Sequence, residues 1–460
     1  MNYKILLADA INDVLNLGQE FLAEFIEIPP QKELGDFSLP CFKLIDKSLS
    51  NPFFIAKEIK KKFKSDFFEG VEIHGVYLNF YINKNAFMNF TIDEILLDGC
   101  NYGLSSIGSG EKIYIDNSLS IRADGLEGII NFSDVIRKSL YNIFESQGYD
   151  VATSNDFDYI DNDLLSKMTN FLMVKEEFKC KNCAKVIELK DYNMRPFIVE
   201  NIFGEVSKEA KILGKLIYKN KFYDFNRFMI IGRKDKKISF NQLSKALKVL
   251  EIDLAEDSLE YISLGRVRLT ECSDYNFIDI YDALYEFKRN VKENLQYENS
   301  LWTYEDKINE KVLKEAIRFF YLKTPREKDK NIFLNDIMTF DCQSYFYVHH
   351  SYIRVLNILK NSKHIDFQCD IPDSIEGYSY ELVEMLSMFR KKILEAINLL
   401  EPYVITQYII DITKAVNKFI LTVEREKSFY EPYEIKIFKA YIVVFKNAMK
   451  LIGVQTMDDI

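Results

Sequence analysis

The sequence predicts an α/β fold combined with an all-α fold, arranged as a small α+β domain, a parallel-sheet domain and a helical bundle. Residues 1–95 mix helical periodicity with a strand-like run, and strands alternate with helices after Lys112. From Lys307 onward, apolar residues recur almost entirely at helical spacing. A length of 460 residues suits three domains of about 150 residues each. The predicted boundaries are 1–95, 111–290 and 305–460.

The composition excludes several classes of protein. The chain has 70 Asp and Glu residues against 60 Lys and Arg residues, a formal net charge of −10, with 48% hydrophobic and 28% charged residues. These values are typical of globular proteins and exclude disordered and collagen-like chains. Seven cysteines are too few at this length for a disulfide scaffold. The acidic balance argues against indiscriminate nucleic-acid binding but permits one shaped basic surface.

The chain is expected to be cytoplasmic and not associated with a membrane. No segment approaches the ~18 consecutive apolar residues that suggest a membrane-spanning helix. Asp9 and Asp13 place acidic side chains near the start, which argues against a signal or transit peptide. The small, odd number of cysteines also suits a reducing compartment.

Residues 1–95 are predicted to form the small α+β domain. Apolar residues at helical spacing predict a helix over Ile5–Ile26, which the prolines at 29 and 30 end. Pro52 fits the first turn of a second helix that ends at Phe63. The strand-like run over Val71–Ile82 is expected to close a sheet against the two helices.

Residues 111–290 are predicted to form the parallel sheet. The strand KIYID begins at Lys112, a glycine-containing loop spans 118–128, and a helix over 132–147 ends at Gly148. Strand, loop and helix in this order open a parallel α/β sheet. The segments KVIEL, FNRFMIIG and LEYISLG are predicted to extend the same sheet to about Leu284.

The C-terminal third is predicted to be a helical bundle. The segment KINEKVLKEAIRFFYLK places its apolar residues on one stripe, and the segments over 382–400 and 433–452 do the same. Pro402 and Gly453 are the predicted stops of the last two helices. The junction between the sheet and the bundle is predicted within 290–304.

Two motifs contain residue types that bind metal ions, but neither is predicted to form a metal site. Cys180 and Cys183 form one CxxC pair, and no second CxxC or CxxH pair follows to complete a four-ligand zinc site. His349 and His350 are adjacent on a predicted helix, where they point about 100° apart and cannot chelate one ion together. The sequence therefore predicts no metal site, and it contains no nucleophile elbow of a hydrolase.

Two segments of the bundle combine basic and aromatic side chains, which suits RNA because aromatic rings stack on bases and arginine pairs with phosphate. EAIRFFYL, at 315–322, resembles the Asp-Ala-Leu-Arg signature of the anticodon-binding domain of the arginyl-tRNA synthetases. QSYFYVHHSYIRVLNIL resembles the tyrosine-rich helix that follows in that family. The resemblance implies that Arg318, Tyr347, Tyr352 and Arg354 bind the anticodon side of a tRNA.

The N-terminal residues resemble the same family of class I aminoacyl-tRNA synthetases. PPQKELGDFSLP, NPFFIAKEI and VYLNFYI are similar to the family's Gly-Asp-Tyr/Phe turn, Asn-Pro helix start and Phe-x-Asn-Phe strand. The resemblance implies that this domain supports the tRNA elbow, with Asp36, Phe37 and Asn79 as tRNA-binding residues. It also implies that the sheet domain is a reduced Rossmann-like synthetase domain and the bundle a DALR-type anticodon-binding domain.

The middle of the chain departs from the family pattern. The family's His-Ile-Gly-His nucleotide motif falls on Glu127, Gly128, Ile129 and Ile130, so both histidines are missing. The Lys-Met-Ser-Lys-like loop should follow LEYISLGRVRL, but no lysine occurs between residues 268 and 288. The tyrosine and aspartate that would hold arginine have no counterpart in GEVSKEAKILG. The sequence therefore predicts no catalytic residues at the degenerate motif positions.

The leading hypothesis is a tRNA-binding pseudo-synthetase whose partner is a tRNA, specifically tRNA-Arg, and which has no cofactor. The alternative is an active but unusual arginine–tRNA ligase, or another transferase, that uses ATP and Mg²⁺ in a rebuilt site. A third hypothesis is a protein–protein adaptor, which an absence of any basic stripe on the bundle would favour. The sequence does not identify a protein partner.

Overall fold

The computed structural model describes residues 3–45, 51–119, 130–153, 178–181, 184–252, 258–270, 310–337, 341–363, 369–372 and 377–456. The chain divides into two compact units. The first unit comprises residues 1–99, 359–387 and 418–440, and the second unit comprises residues 100–358, 388–417 and 441–460. The predicted boundaries of three sequence domains stay predictions. In the described part of the chain, no helix has both the length and the apolar character needed to cross a membrane.

The N-terminal part of the first unit is a three-stranded antiparallel sheet with helices. Its elements are α1 (Tyr3–Leu15), α2 (Gln19–Phe25), β1 (Phe37–Pro40), α3 (Pro52–Lys62), β2 (Phe68–His74), β3 (Tyr77–Ile82) and α4 (Lys84–Asp98). The strand order is β1–β3–β2, and both neighbouring pairs are antiparallel. Apolar side chains of α1, α2 and α3 pack with those of the sheet in one buried cluster. The sheet expected from the run over Val71–Ile82 is present as the hairpin of β2 and β3.

The single helix predicted over Ile5–Ile26 is wrong at its centre, where the chain breaks into α1 and α2. Asn16 and Gly18 have φ values of 53° and 97°, outside the helical region. The side-chain oxygen of Asn12 accepts a hydrogen bond from the N–H of Gly18 at 2.8 Å. This local bond stabilises the break, and apolar periodicity alone does not report it.

The second predicted helix is confirmed as α3. Asn51 precedes it, and its side-chain oxygen accepts a hydrogen bond from the N–H of Phe53 at 3.0 Å. Pro52 is the first helical residue, where its missing N–H group costs no hydrogen bond. The pair Asn-Pro therefore starts the helix by capping and by a preset φ.

The second unit contains a four-stranded parallel sheet. Its elements are β4 (Lys112–Leu119), α5 (Phe132–Glu145), β5 (Asp150–Thr153), α6 (Lys208–Tyr223), β9 (Arg227–Arg233), α7 (Lys237–Val249) and β10 (Leu259–Leu264). The strand order is β10–β9–β4–β5, with parallel pairing throughout. The parallel arrangement predicted from KIYID, FNRFMIIG and LEYISLG is confirmed. The predicted extension to Leu284 lies outside the described residues.

The prediction that KVIEL belongs to the parallel sheet is wrong. This segment contributes to β7 (Ala184–Ile187), the central strand of a separate sheet with β6 (Phe178–Lys181) and β8 (Phe197–Glu200). Both pairs in this small sheet are antiparallel. A short apolar run has the same composition in either kind of sheet, so its sequence does not distinguish them.

The C-terminal region is mainly helical, as predicted. It contains α8 (Glu310–Leu322), α9 (Leu334–Ile337), α10 (Tyr345–Asn361), α11 (Tyr378–Ser387), α12 (Phe389–Leu399), α13 (Tyr403–Glu426) and α14 (Pro432–Ile452). The helix predicted over 382–400 is two helices, α11 and α12, that meet at Met388. Gly453, with φ of 69°, follows α14 as the predicted stop. The junction predicted within 290–304 lies outside the described residues.

A two-stranded parallel ladder, which the sequence did not predict, interrupts the helical region. Strand β11 (Val267–Thr270) pairs with β12 (Lys330–Phe333). The guanidinium of Arg326 lies beside this ladder and donates hydrogen bonds at 3.0 Å to the carbonyl oxygens of Leu400 and Ser263. Arg326 therefore joins the end of β10 to the turn between α12 and α13.

Candidate functional site

The strand order of the parallel sheet identifies a candidate ligand crevice. From β4, the chain passes through α5 to β5 on one side, and later through α6 to β9 on the other side. In open α/β sheets, ligands bind at the carboxyl ends of the strands where the strand order reverses in this way. The candidate crevice therefore lies at the carboxyl ends of β4 and β9.

A bulge near the end of β4 directs a side chain to the start of α5. The pairing of β4 with β9 shifts register between Asp116 and Leu119. Asn117, inside this shift, donates from its side-chain nitrogen to the Oδ1 of Asp134 at 2.6 Å. The Nε of Arg137 approaches the same carboxylate oxygen at 3.2 Å. The Asp134 carboxylate in the first turn of α5 is thus bound from both sides.

The start of α5 carries its own cap. Asn131 accepts hydrogen bonds at its side-chain oxygen from the N–H of Ser133 at 3.2 Å and from the Ser133 hydroxyl at 2.7 Å. Ile130, the last of the four positions on which the nucleotide motif is predicted to fall, is only 8% exposed. Glu127, Gly128 and Ile129 lie outside the described residues. The helix start therefore presents an amide cap, an apolar wall and a carboxylate.

An ion pair lies at the carboxyl end of β9. Arg233 donates from its Nε to the Oδ1 of Asp235 at 2.7 Å and pairs with the second carboxylate oxygen as well. These hydrogen bonds lower the pKa of the Asp235 carboxyl below its ordinary value. The arginine at this edge of the crevice is therefore already engaged by a neighbouring acid.

A buried polar cluster lies between the sheet and α6, and sequence reasoning missed it. Asp116 is 1% exposed and accepts a hydrogen bond from the Tyr114 hydroxyl at 3.2 Å. The Nζ of Lys219 lies 3.9 Å from the centroid of the Tyr114 ring. Lys219 is fully buried although it belongs to a lysine-rich segment that reads as a solvated helix face. The signal available in the sequence was Asp116 itself, an acid inside a strand.

Arg318 contributes to a pocket of about 170 Å³ in the second unit, which we call the Arg318 pocket. Its walls come from the start of α5, from α8 and from the end of α14: Ile130, Asn131, Asp134, Val135, Arg137, Lys138, Arg318, Ile452 and Gly453. The side chain of Arg318 is 33% exposed and pairs with Glu315, which is nearly fully buried. The structure thus places Arg318, a predicted tRNA-binding residue, in the same pocket as Ile130, the last predicted position of the nucleotide motif.

The predicted residues of α10 differ in their access to solvent. Tyr352 is fully buried, with its ring stacked on Phe445 at a centroid distance of 4.7 Å. Tyr347 is half-buried, and its hydroxyl accepts a hydrogen bond from the side-chain nitrogen of Asn417 at 2.9 Å. Arg354 is also half-buried. Tyr347 and Arg354 reach the surface, whereas Tyr352 supports it from within.

The predicted residues of the N-terminal module form part of its sheet. Asp36 is exposed and accepts a hydrogen bond at Oδ2 from the N–H of Ile82 at 2.8 Å. Phe37 is half-buried. Asn79, 3% exposed, accepts a hydrogen bond from the Ser38 hydroxyl at 2.7 Å. These contacts hold β1 on β3, so the motif has a structural role beside any role in binding.

The described residues contain no group of three or more His, Cys, Asp or Glu side chains placed to hold a metal ion. Cys180 lies in β6, and Cys183 lies outside the described part. His349 is fully buried, with its ring centroid 4.1 Å from that of Tyr345. The aromatic packing of His349 agrees with the interpretation that it is a packing residue.

Models of known protein families match both ends of the chain. The family model of the arginyl tRNA synthetase N terminal domain matches residues 1–82, and that of the DALR anticodon binding domain matches residues 348–460. Arginine–tRNA ligases of Clostridium acetobutylicum and Clostridium perfringens are 26% and 27% identical, with the whole of both chains aligned in each case. The chain thus carries matches to two domains of the arginyl-tRNA synthetases and is similar to arginine–tRNA ligases along its whole length.

Solved structures of the arginyl-tRNA synthetase family share the fold. The Thermus thermophilus arginyl-tRNA synthetase superimposes with a TM-score of 0.67 and 14% identity, covering 98% of this chain and 99% of the other. The Plasmodium falciparum arginyl-tRNA synthetase gives a TM-score of 0.66 with 12% identity, covering 99% and 98%. At these identities the likeness supports the fold alone. The assignment of a parallel-sheet core with a helical DALR domain is thus confirmed.

The alignments with the two Clostridium ligases are longer than this chain and therefore contain gaps opposite the ligases' residues. The alignment with the Clostridium acetobutylicum ligase spans 563 positions, whereas this chain has 460 residues. Both ends match family domains, over 1–82 and 348–460. Neither matched range includes the sheet strands β4, β5, β9 and β10 or the residues 127–130.

Proposed function

We propose that this relative of the arginyl-tRNA synthetases binds tRNA, specifically tRNA-Arg, and does not activate arginine with ATP. The observation that carries the proposal is the start of α5, where the family's nucleotide motif would lie. Ile130, the last of the four motif positions, is buried there, and the cap Asn131 and the carboxylate of Asp134 follow it. The Ile130 side chain and the Asp134 carboxylate have no N–H or O–H group to donate to a phosphate, and none of the three side chains carries a positive charge.

The energetic argument concerns anion binding at a helix start. A helix N-terminus binds phosphate through N–H groups that have no intrahelical partner and through its positive dipole end. The Asn131 side chain accepts one of those N–H groups, and Asp134 places a negative charge within the first turn. Two negative charges ~4 Å apart repel by about 1–4 kcal/mol, for dielectric values between water and a protein surface. Each lost electrostatic donor to a transition state costs about 10²–10³ in rate.

The surface of α8 supports RNA binding over the protein-adaptor hypothesis. Lys311, Lys314 and Arg318 follow one another at positions i, i+3 and i+7, which lie on one face of a helix. Lys311 is exposed, and Lys314 and Arg318 are half-buried. An adaptor that uses the bundle without RNA requires no such basic stripe, whereas contacts with a phosphate backbone do.

The proposal is tested by binding and by catalysis in parallel. Purified protein is incubated with total cellular tRNA at two salt concentrations, and the bound species are sequenced. The same preparation is assayed for arginine-dependent ATP–pyrophosphate exchange with tRNA present. We expect selective recovery of arginine tRNAs and no exchange. Exchange above background would overturn the loss of activation, and recovery of no tRNA would overturn the binding function.

The retained parallel sheet favours one alternative, an unusual arginine–tRNA ligase or other transferase that uses ATP and Mg²⁺. The strand order still forms a crevice at the carboxyl ends of β4 and β9. An ATP user would be stabilised against unfolding by about 2.7 kcal/mol at a ligand concentration of 100 times Kd. Thermal unfolding with and without MgATP therefore separates this alternative from the pseudo-synthetase.

A further inference from the structure

The Arg318 pocket combines three cationic side chains from two helices. Arg137 and Lys138 come from α5, and Arg318 comes from α8. Asp134 is the one acidic side chain among the lining residues. Its Oδ1 already accepts from Asn117 at 2.6 Å and from Arg137 at 3.2 Å. This partly neutralised acid stands against three cations, so the pocket keeps an excess of positive charge that the N–H groups at the helix start lack.

Lys138 supplies the part of this charge that no acid balances. Within the described part of the chain, no carboxylate lies within ion-pair distance of its Nζ. The aliphatic part of its side chain packs over Gly453, where an added Cβ would come 3.2 Å from two of its carbons. The absence of a side chain at position 453 thus leaves room for the lysine stem along the end of α14. Lys138 is an exposed residue among those that line the pocket.

The two arginines keep donors available to a ligand. The Nε of Arg137 bonds to Asp134, and one terminal nitrogen of Arg318 pairs with Glu315. A guanidinium has five N–H donors in a planar fork, so each arginine has further N–H groups that these bonds do not use. Fork-shaped guanidinium groups and a point-like ammonium group are the residue types that match phosphate oxygens.

The size of the pocket limits what it can hold. Its volume is about 170 Å³, whereas pockets for cofactors and drug-sized ligands start at roughly 300 Å³. A space of this size suits a single phosphate group rather than a whole ATP molecule. The basic stripe of Lys311, Lys314 and Arg318 ends at this pocket, so a polyanion lying along α8 would reach it.

We propose that the Arg318 pocket binds a phosphate group, which belongs to the backbone of the bound tRNA; this source of the phosphate rests on the proposed function. Lys138 and Arg318 contact the phosphate oxygens directly, and Arg137 contributes while it holds Asp134 away from them. The pocket thereby connects the DALR helix α8 to the start of α5, which no longer serves ATP. It is a phosphate site for tRNA positioning and not for catalysis.

The test compares tRNA binding by Lys138→Gln with that by Lys211→Gln, a matched exchange at an exposed lysine of α6 outside the pocket. Fluorescence anisotropy is measured over a range of salt concentrations. We expect Lys138→Gln to weaken binding about twofold to fivefold, as suits one exposed ion contact. The slope of log Kd against log salt should fall by about 0.7–0.9, since one counterion-releasing contact is lost. Equal Kd and equal slope in the two variants would overturn the proposal.

A second variant, Arg318→Gln, tests the arginine, with thermal unfolding measured alongside because this change leaves buried Glu315 without its ion pair. A folded Arg318→Gln with wild-type tRNA affinity would also count against the site. A further arm uses inorganic phosphate in place of RNA and measures the rise in Tm. If no tRNA binds but phosphate raises the Tm of the wild type and not of Lys138→Gln, the phosphate pocket stands and the tRNA function fails. If the wild type binds tRNA and Lys138→Gln binds it identically, the function stands and the pocket fails.

Discussion

The Nζ of Lys330 lies 3.8 Å from the centroid of the Tyr321 ring, and both residues are buried. Lys330 is 8% exposed and Tyr321 is 1% exposed. Burial lowers the pKa of Lys330 to about 7, and the nearby carboxylate of Glu401 only partly opposes this shift. Burial also raises the pKa of Glu401 above its ordinary value. This lysine therefore changes its charge near neutral pH.

Replacement of Lys330 by Met should stabilise the protein and flatten its pH dependence. Between about pH 7 and 10.5 the unfolded chain carries a protonated lysine while the folded chain carries a neutral one. The free energy of unfolding therefore rises with pH across that window. Below about pH 7 the folded protein bears the full cost of burying a protonated lysine. The pKa shift corresponds to about 4–5 kcal/mol. Urea unfolding at several pH values measures it. Lys211→Met, at an exposed lysine of α6, should leave the pH dependence unchanged.

Truncation of Arg326 to Ala should destabilise the second unit. Its guanidinium donates to the carbonyl oxygens of Leu400 and Ser263, and its side chain is 12% exposed. Removal leaves those two oxygens without this donor and Glu401 without its ion pair, at a cost of about 2–4 kcal/mol. Thermal unfolding is the measurement. The exposed Arg266→Ala should shift the Tm little, and an equal shift in the two variants would contradict the bridging role.

Substitution of Gly35 by Ala should disrupt the N-terminal sheet. Gly35 has φ of 101°, and an added Cβ would lie 2.9 Å from the carbonyl oxygen of Phe80. Strained backbone costs about 1–3 kcal/mol before the close contact adds to it. Gly75→Ala is the matched control, because Gly75 has φ of 63° and open space around its Cβ position. A free energy of unfolding that falls no further for Gly35→Ala than for Gly75→Ala would show that the close contact is unimportant.

Replacement of Arg354 by Ala should weaken tRNA binding and reduce its salt dependence. Arg354 is half-buried on α10 within the DALR match, and a phosphate contact contributes about 0.7–0.9 to the salt slope. Filter binding at two or more salt concentrations checks the change. Arg195→Ala, at an exposed arginine outside the helical region, serves as the control. An unchanged affinity would remove Arg354 from the interface.

The sequence predicted elements best where local chemistry specifies a start or a stop. Asn51 and Pro52 define the beginning of α3, and Gly453 the end of α14, because capping and φ preferences are local properties. The break at Asn16 and Gly18 escaped prediction because a side-chain hydrogen bond from Asn12 stabilises it. The strand β7 was predicted from KVIEL but assigned to the wrong sheet, because the partner of a strand depends on distant residues.

Some features of the candidate site can be predicted from the sequence, and others depend on tertiary packing. The burial of Tyr352 follows from its position seven residues after Tyr345, which places both on the apolar stripe of α10. The neighbourhood of Arg318 and Ile130 did not follow, because only tertiary packing of α8 on α5 brings them together. The burial of Lys219 is equally a product of packing, since the residue type predicts the opposite.

The final turn of α14 is held by α5, a helix that precedes it by some three hundred residues. The Ser139 hydroxyl donates to the carbonyl oxygen of Ile452 at 2.8 Å, and the Asn142 amide donates to that of Lys450 at 2.8 Å. During synthesis on the ribosome, α5 emerges long before its partner exists. The face of α5 that carries Ser139 therefore stays uncovered until α14 has been translated. Nascent-chain chaperones would meet this protein with that face still open.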